Sequence, residues 1–141
     1  MKNGIIITFL LLVILGNNNA YSQDIDNSEL IRSTVLQTKA ALPMKIDAMT
    51  TFVDIVGGNN SLTYLYDVDM DLSQLQPQQL AFIKQKFPEM ICRQMTPLIC
   101  GVGKAFLEKG ITINTKYKVK DGTSLAECHY SQADCVKLPS K

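Results

Sequence analysis

The sequence predicts an α+β domain: an antiparallel sheet of four or more strands with helices packed on one face, in the order α-ββ-α-ββ. Two stretches, 24–42 and about 73–109, repeat apolar residues at the spacing of an amphipathic helix. Each is followed by two runs that are rich in β-branched residues or alternate between apolar and polar side chains, as strands with one buried face do. Glycine and asparagine clusters between the runs predict hairpin turns.

The first helix, 24–42, has signals at both ends. Asp26, with Glu29 three positions later, resembles a capping box that satisfies free amides of the first turn. Pro43 ends the helix because the residue before a proline avoids the α region. The predicted core-facing stripe consists of Ile31, Val35, Thr38 and Leu42.

A hairpin follows this helix. The run Thr51–Val56 is rich in β-branched residues, and the turn cluster 57–60 (Gly-Gly-Asn-Asn) comes directly after it. Strict alternation over the next run predicts one buried face, made of Leu62, Tyr64, Tyr66, Val68 and Met70.

The second helical region, about 73–109, contains internal prolines. Pro77 suits a first turn, whereas Pro88 and Pro97 predict bends that divide the region into two or three segments. Gly110 is placed where a glycine commonly ends a helix. The apolar stripe consists of Leu80, Ile83, Phe87, Met90 and Ile91, continued by Leu98, Val102 and Phe106.

A second predicted hairpin completes the domain. Residues 111–120 alternate, with the odd positions inward, and Asp121-Gly122 is typical of a type I′ turn. On the last strand we expect Ser124, Ala126, Cys128 and Tyr130 to face inward. Residues 136–141 are expected to form a frayed tail. Tyrosines on the inward positions favour a role in the core, and they are Tyr64, Tyr66, Tyr117 and Tyr130.

The first 22 residues have the pattern of a secretory signal peptide. Lys2 precedes an apolar run, 5–15, that is shorter than the ~20 residues of a membrane-spanning helix. We expect cleavage after Ser22, or after Ala20, which leaves residues 23–141 as a single α+β domain; an uncleaved anchor is the alternative. No cysteine precedes Cys92, so no lipobox cysteine is available. The expected product is a soluble periplasmic protein without stable membrane insertion.

All four cysteines lie in the last third of the chain, namely Cys92, Cys100, Cys128 and Cys135. An even count behind an export signal predicts two disulfides formed in an oxidising compartment. A metal site that uses three of them with His129 is the competing interpretation, but zinc sites commonly show closer cysteine pairs. Three pairings are open from the sequence. A bond between the 92–100 and 128–135 regions would contribute about 3–4 kcal/mol.

No catalytic constellation emerges from the titratable residues. His129, the only histidine, is predicted to lie on the exposed strand face near Glu127, without an activated nucleophile. The segment 101–104 (Gly-Val-Gly-Lys) lacks the spacing and the Ser/Thr of a phosphate loop, so its glycines indicate close packing or a bend in a helix. An enzymatic activity would have to depend on His129 or on the three alternating aspartates of 67–71. We therefore expect no enzymatic activity and no cofactor.

Charged residues alternate on two of the predicted strands. Asp67, Asp69 and Asp71 could bind a cation, but a solvated strand face that resists edge pairing is the favoured interpretation. Lys116, Lys118 and Lys120 are the same feature with opposite sign and would pair with the aspartates if the strands were neighbours. With 14 basic and 13 acidic residues, the net charge of +1 offers no general surface for nucleic acid.

The order of these features resembles that of the beta-class (AspS-type) pilotins of type II secretion systems. The resemblance covers about residues 36–135. It rests on short motifs, namely 42–45 (Leu-Pro-Met-Lys), 62–66 (Leu-Thr-Tyr-Leu-Tyr), 90–92 (Met-Ile-Cys), 108–111 (Glu-Lys-Gly-Ile) and 134–135 (Asp-Cys). Pilotins carry a lipidated cysteine, which this chain lacks, and the spacing from Cys92 to Gly110 is longer than the family leads one to expect.

The resemblance implies a disulfide from the long helix to the C-terminal end, Cys92 with Cys135, and leaves Cys100 with Cys128 as an added bond. It also implies that an apolar groove binds a C-terminal segment of an outer-membrane secretin. We therefore expect a soluble periplasmic accessory protein of a secretion or pilus apparatus whose partner is a secretin or another envelope component. A stand-alone periplasmic binder, such as an inhibitor or an immunity-type protein, is the alternative.

Overall fold

The computed structural model describes residues 26–137, so the predicted signal peptide, residues 1–22, lies outside it. The helices are α1 (Asn27–Lys39), α2 (Pro77–Val102), α3 (Lys104–Leu107) and α4 (Gln132–Val136), with a 3-10 turn at Leu72–Gln74. The strands are β1 (Met44–Lys45), β2 (Thr50–Gly58), β3 (Ser61–Val68), β4 (Thr112–Val119) and β5 (Ser124–Tyr130). Within residues 26–137, no helix combines the length and apolarity that crossing a membrane requires.

The predicted α+β class is confirmed, but the sheet is mixed. Five strands lie side by side in chain order, and three of the four neighbouring pairs are antiparallel. β3 and β4 are parallel, with Val68 opposite Val119, so the prediction of a wholly antiparallel sheet is wrong. The reason is that α2 connects the end of β3 to the start of β4, and a crossover that spans the sheet returns the chain in its original direction.

Alternation divides the sheet into two faces. The inner face is nearly continuous, because Leu62, Tyr64, Tyr66 and Val68 of β3 stand opposite Ile113, Thr115, Tyr117 and Val119 of β4. The outer face carries the polar positions of the same strands. The prediction for Ser124 is wrong: a register shift after Tyr117 leaves Ser124 exposed and buries Leu125 instead.

The long helix differs from its prediction. α2 continues through both Pro88 and Pro97 and stops only at Gly103, which separates it from α3. Each internal proline removes one main-chain hydrogen bond of the helix. Packing on β5 and two disulfides keep the helix in place at these positions. α2 ends at Gly103, which packs closely beside Ile113 of β4. Of the two glycines in the segment 101–104, Gly103 therefore shows the expected close packing and Gly101 does not.

Both disulfides connect α2 to the C-terminal part of the chain. Cys92 bonds to Cys128 on β5, and Cys100 bonds to Cys135 on α4. The pairing implied by the pilotin resemblance, Cys92 with Cys135 and Cys100 with Cys128, is therefore not the one observed. α2 runs in the same direction as β5, since both are antiparallel to β4, and the cysteines consequently pair in chain order.

Peptide mapping under non-reducing conditions tests this pairing. We expect fragments that join Cys92 to Cys128 and Cys100 to Cys135. Replacing Cys92 and Cys128 together by Ala is expected to lower the free energy of unfolding in urea by about 3–4 kcal/mol. The Cys100→Ala, Cys135→Ala pair is the matched control, because its sequence separation of 35 residues nearly equals the 36 of the first bond, and it should cost a similar amount. A fragment joining Cys92 to Cys135 would contradict the fold.

Candidate functional site

Two helices cover the inner face of the sheet, but each lies over a different strand. α1 packs on β2 and α2 packs on β5. α1 comes so close to β2 that a Cβ added to Gly57 would lie 2.7 Å from Ile31 Cγ2 and 3.3 Å from Val35 Cγ2. On the other side, the Tyr130 hydroxyl donates to the Cys92 carbonyl oxygen of α2 at 3.2 Å. The inner-face side chains of the middle strands are buried, with Tyr64, Tyr66 and Tyr117 only 6–7% exposed.

Aromatic rings form the floor between the helices. Phe52 of β2 packs against Tyr64 and Tyr66 of β3, with ring centroids 5.4 and 5.1 Å apart. Tyr66 stacks on Tyr117 of β4, with centroids 5.0 Å apart. Rings in such contact stabilise one another beyond the area that they bury, so the floor is rigid.

α2 has an apolar flank on the side that does not carry the disulfides. Ile83, Phe87 and Met90 follow one another at spacings of four and three residues, which places them on one side of the helix. Cys92, which is bonded to β5, lies about 200° around the helix from Met90. Ile83 and Phe87 of this flank are partly buried against the core. Met90 is 42% exposed and marks its open edge.

Half-buried apolar side chains close the end of the floor at which β3 stops. They come from the segment after α1 and from the segment before α2. We define the interhelix surface as the floor, the apolar flank of α2 and these end residues, which are Leu42, Met44, Ile46, Met70 and Leu72. The sequence analysis assigned Leu42 to the helix stripe and Met70 to a strand face. It missed Met44, Ile46 and Leu72, because they occur in short segments without helical or strand periodicity.

Methionine is concentrated outside the core. All five methionines within residues 26–137 are half-buried or exposed, whereas the core consists mainly of Ile, Leu, Val, Phe and Tyr. Met44 and Met70 of the interhelix surface are partly buried against the core, and Met90 on the flank of α2 is exposed. Methionine is unbranched and polarisable, and it adapts its shape to different apolar partners. The composition of this surface is therefore typical of a site that accommodates another chain.

The tyrosine hydroxyls of the inner face are uncharged at neutral pH. Burial raises the pKa of Tyr64 from 10.0 to about 12. Burial also raises the pKa of Tyr66 well above its ordinary value, and the neighbouring tyrosines add to the effect. These groups can consequently donate hydrogen bonds over the whole physiological pH range.

The outer face contains the residues that were weighed for catalysis. His129 is exposed there, as expected, and its Nδ1 lies 2.7 Å from Asn114 Oδ1. Glu127 pairs with Lys116 at 3.7 Å. Within residues 26–137, no group of three or more His, Cys, Asp or Glu side chains is placed to hold a metal ion. The residues weighed for catalysis therefore form hydrogen bonds and ion pairs with neighbouring surface side chains.

The aspartates are separated by their partners. Asp67 pairs with Lys118 at 3.9 Å and Asp69 with Lys120 at 3.1 Å, because β3 and β4 are neighbours. Asp71 instead caps the 3-10 turn: its Oδ1 accepts from the Ser73 hydroxyl at 2.6 Å, and this bond holds the Asp71 pKa below its ordinary value. The cross-strand charge pairing anticipated from the sequence is present, and each exposed pair contributes little stability.

Comparison with known proteins shows similarity in structure only. No protein-family model matches the chain, and no curated protein matches it in sequence. A Pseudomonas aeruginosa protein described as secreted superposes with a TM-score of 0.63 at 14% identity, over 83% of this chain and 99% of that one. Two further neighbours are type II secretion pilotins. EpsS from Vibrio vulnificus has a TM-score of 0.59 at 15% identity, over 81% of this chain and 94% of that one. AspS from Vibrio cholerae has a TM-score of 0.57 at 12% identity, over 77% of this chain and 92% of that one.

These neighbours define the fold class. The chain has a pilotin-like fold, shared with both pilotins and with the secreted Pseudomonas protein. The resemblance inferred from the sequence is confirmed at the level of the fold.

Substitution of Gly57 tests the close approach of α1. Gly57→Ala is expected to lower the free energy of unfolding by about 1–3 kcal/mol, because the new methyl group collides with Ile31. The control is Gly101→Ala on α2, where an added Cβ meets nothing within 4 Å and the better helix former should stabilise by up to about 1 kcal/mol. Urea unfolding measures both. Equal effects at the two glycines would disprove the proposed contact.

Alkaline pH tests the burial of Tyr64. The folded pKa of about 12 exceeds the value of 10 for an unfolded tyrosine, so the associated stability is fully present below pH ~10 and is lost as the pH rises toward 12. The loss from this group amounts to about 3 kcal/mol. Unfolding free energies measured between pH ~9 and ~12 should fall in the native chain and fall less in Tyr64→Phe. A pH-independent stability across this interval would exclude the buried phenol.

Proposed function

We propose that this chain is an exported accessory protein of a secretion apparatus, and that its interhelix surface binds an apolar, helix-forming C-terminal segment of an outer-membrane secretin. The supporting observation is a Met-rich, partly exposed apolar surface in a fold shared with two type II secretion pilotins. The floor itself is already buried, so the segment would lie along the partly exposed apolar side chains at its edge, such as Met44, Met70 and Met90.

We further propose that the protein works in the periplasm. The supporting observations are the signal-peptide pattern of residues 1–22 and the two disulfides, which form and persist in oxidising compartments. The disulfides fasten one flank of α2 to β5 and α4, so the opposite flank can bind a partner without the helix detaching. Binding, and not catalysis, is the proposed activity, since the side chains of the outer face are occupied by one another.

A second candidate function is supported by the secreted Pseudomonas protein, which shares the fold over 99% of its length. In this alternative the chain is a stand-alone periplasmic binder, such as an inhibitor of an enzyme or toxin. The two functions make different predictions for a deletion strain. Loss of secretin assembly favours the accessory role, whereas intact secretion with sensitivity to a soluble target favours the inhibitor.

Binding of the secretin segment can be measured directly by calorimetry. The probe is a synthetic peptide with the C-terminal sequence of the secretin encoded in the same genome. The unmodified exported chain is expected to bind, and Met90→Asp is expected to weaken binding at least about tenfold, because a charge replaces an apolar contact at the edge of the surface. Met90 is 42% exposed, so the variant should keep its thermal stability.

The matched control is Leu36→Asp. Leu36 is also an exposed apolar residue on a helix, 63% exposed, but it points away from the sheet on α1. This variant should bind within about twofold of the unmodified chain. Failure of the unmodified chain to bind the peptide, or equal losses in the two variants, would refute the proposed role.

A further inference from the structure

Two exposed lysines border the apolar flank of α2, one on each side. Lys86 follows Ile83 by three residues and precedes Met90 by four, so these side chains are neighbours on the helix surface. Lys84 precedes Phe87 by three residues and is its neighbour in the same way. Because residues two apart lie about 200° apart around a helix, the two lysines stand on opposite sides of the flank.

Neither lysine forms an ion pair with any residue in the range 26–137. The segment 72–88 contains no Asp or Glu, and the acidic residues that precede and follow it are engaged elsewhere: Asp71 by the Ser73 hydroxyl and Glu89 by Arg93. The lysines of the outer face differ, because each pairs with an acidic side chain; they are Lys116, Lys118 and Lys120. The flank of α2 therefore has a local surplus of positive charge, although the net charge of the whole chain is only +1.

This surplus restricts the charge of a docked segment. A segment that lies on the apolar flank brings the residues beside its own apolar face next to the two lysines. Acidic side chains are attracted there and keep most of their hydration, because the lysines are exposed, whereas basic side chains are repelled. An anionic membrane is the other possible partner, but segments that bind anionic lipid commonly contain about four to eight Lys or Arg, and this flank has two. The charges therefore favour an acidic peptide.

We propose that Lys84 and Lys86 select a docked segment whose apolar face is flanked by acidic side chains. This inference rests on the proposed function, because the docked segment is the secretin peptide. It divides recognition between two kinds of contact. The apolar side chains hold the segment, and the two lysines accelerate its association and discriminate against segments with basic flanks.

Charge reversal tests the inference. The Lys84→Glu, Lys86→Glu variant is expected to weaken calorimetric binding of the secretin peptide about five- to twentyfold at ~0.1 M ionic strength, where the Debye length is ~10 Å. At ~1 M, where the Debye length is ~3 Å, the loss should fall below about threefold. The melting temperature should stay close to that of the unmodified chain, since both side chains are exposed and no ion pair within the described residues is lost.

The matched control is the Arg32→Glu, Lys109→Glu variant, which changes the net charge by the same amount. Both residues are exposed and form no ion pair within residues 26–137. Asn27 of α1 donates to the Lys109 carbonyl oxygen at 2.9 Å and to the Asn60 side chain, at the end of the sheet where β3 begins, whereas α2 follows the other end of β3. This control should bind within about twofold of the unmodified chain at both ionic strengths.

A change in the peptide provides the complementary test. Replacing the Asp and Glu residues beside its apolar positions by Asn and Gln should weaken binding to the unmodified chain by a similar factor. The same replacement should have little effect on binding to the Lys84→Glu, Lys86→Glu variant, because an interaction that one change has removed cannot be lost a second time.

The outcomes separate this inference from the proposed function. If the unmodified chain binds the peptide and reversal of the two lysines leaves the affinity unchanged at ~0.1 M, or costs no more than the control, the inference alone is overturned. Loss of binding to vesicles of anionic lipid on reversal, with the peptide affinity unchanged, assigns the lysines to a membrane and also overturns it. Absence of binding by the unmodified chain overturns the proposed function and, with it, the inference.

Discussion

The crossover of α2 from the end of β3 to the start of β4 is the constraint on which the rest of the structure depends. It makes the two central strands parallel, which brings Asp67 opposite Lys118 on the outer face. It also directs α2 along β5, so that the first cysteine of the helix meets the first cysteine of the C-terminal region. A hairpin between β3 and β4 would have reversed both arrangements.

The same constraint fixes where the two long helices lie. Disulfides fasten α2 over the last strand, and α1 is held over β2 by its close approach at Gly57. The interhelix surface combines a buried aromatic floor with a partly exposed edge that includes methionines. The buried floor keeps a fixed shape, and the methionines of the edge can adapt theirs.

The pilotin-like fold is recognisable although identity to its neighbours is only 12–15%. Fold is preserved by burial pattern and connectivity, which many sequences satisfy, whereas function depends on particular side chains at a site. The sequence resemblance therefore predicted the pilotin-like fold, but neither the parallel pairing of β3 with β4 nor the disulfide pairing. Disulfide pairing depends on which cysteines two elements bring together in space. The order of features along the chain does not specify this, least of all for two cysteines that the family does not share.

The sequence by itself determined the local structure. Asp26 caps α1, Gly110 follows the last helical turn with a positive φ of 80°, and alternation assigned the inward positions of β3 and β4. These features follow from contacts between residues close in the chain. Only the tertiary structure decided the parallel pairing, the disulfide connectivity, the continuity of α2 through its prolines and the interhelix surface. Each of these depends on residues far apart in sequence, whose meeting is set by the order and direction of whole elements and not by the pattern within any one of them.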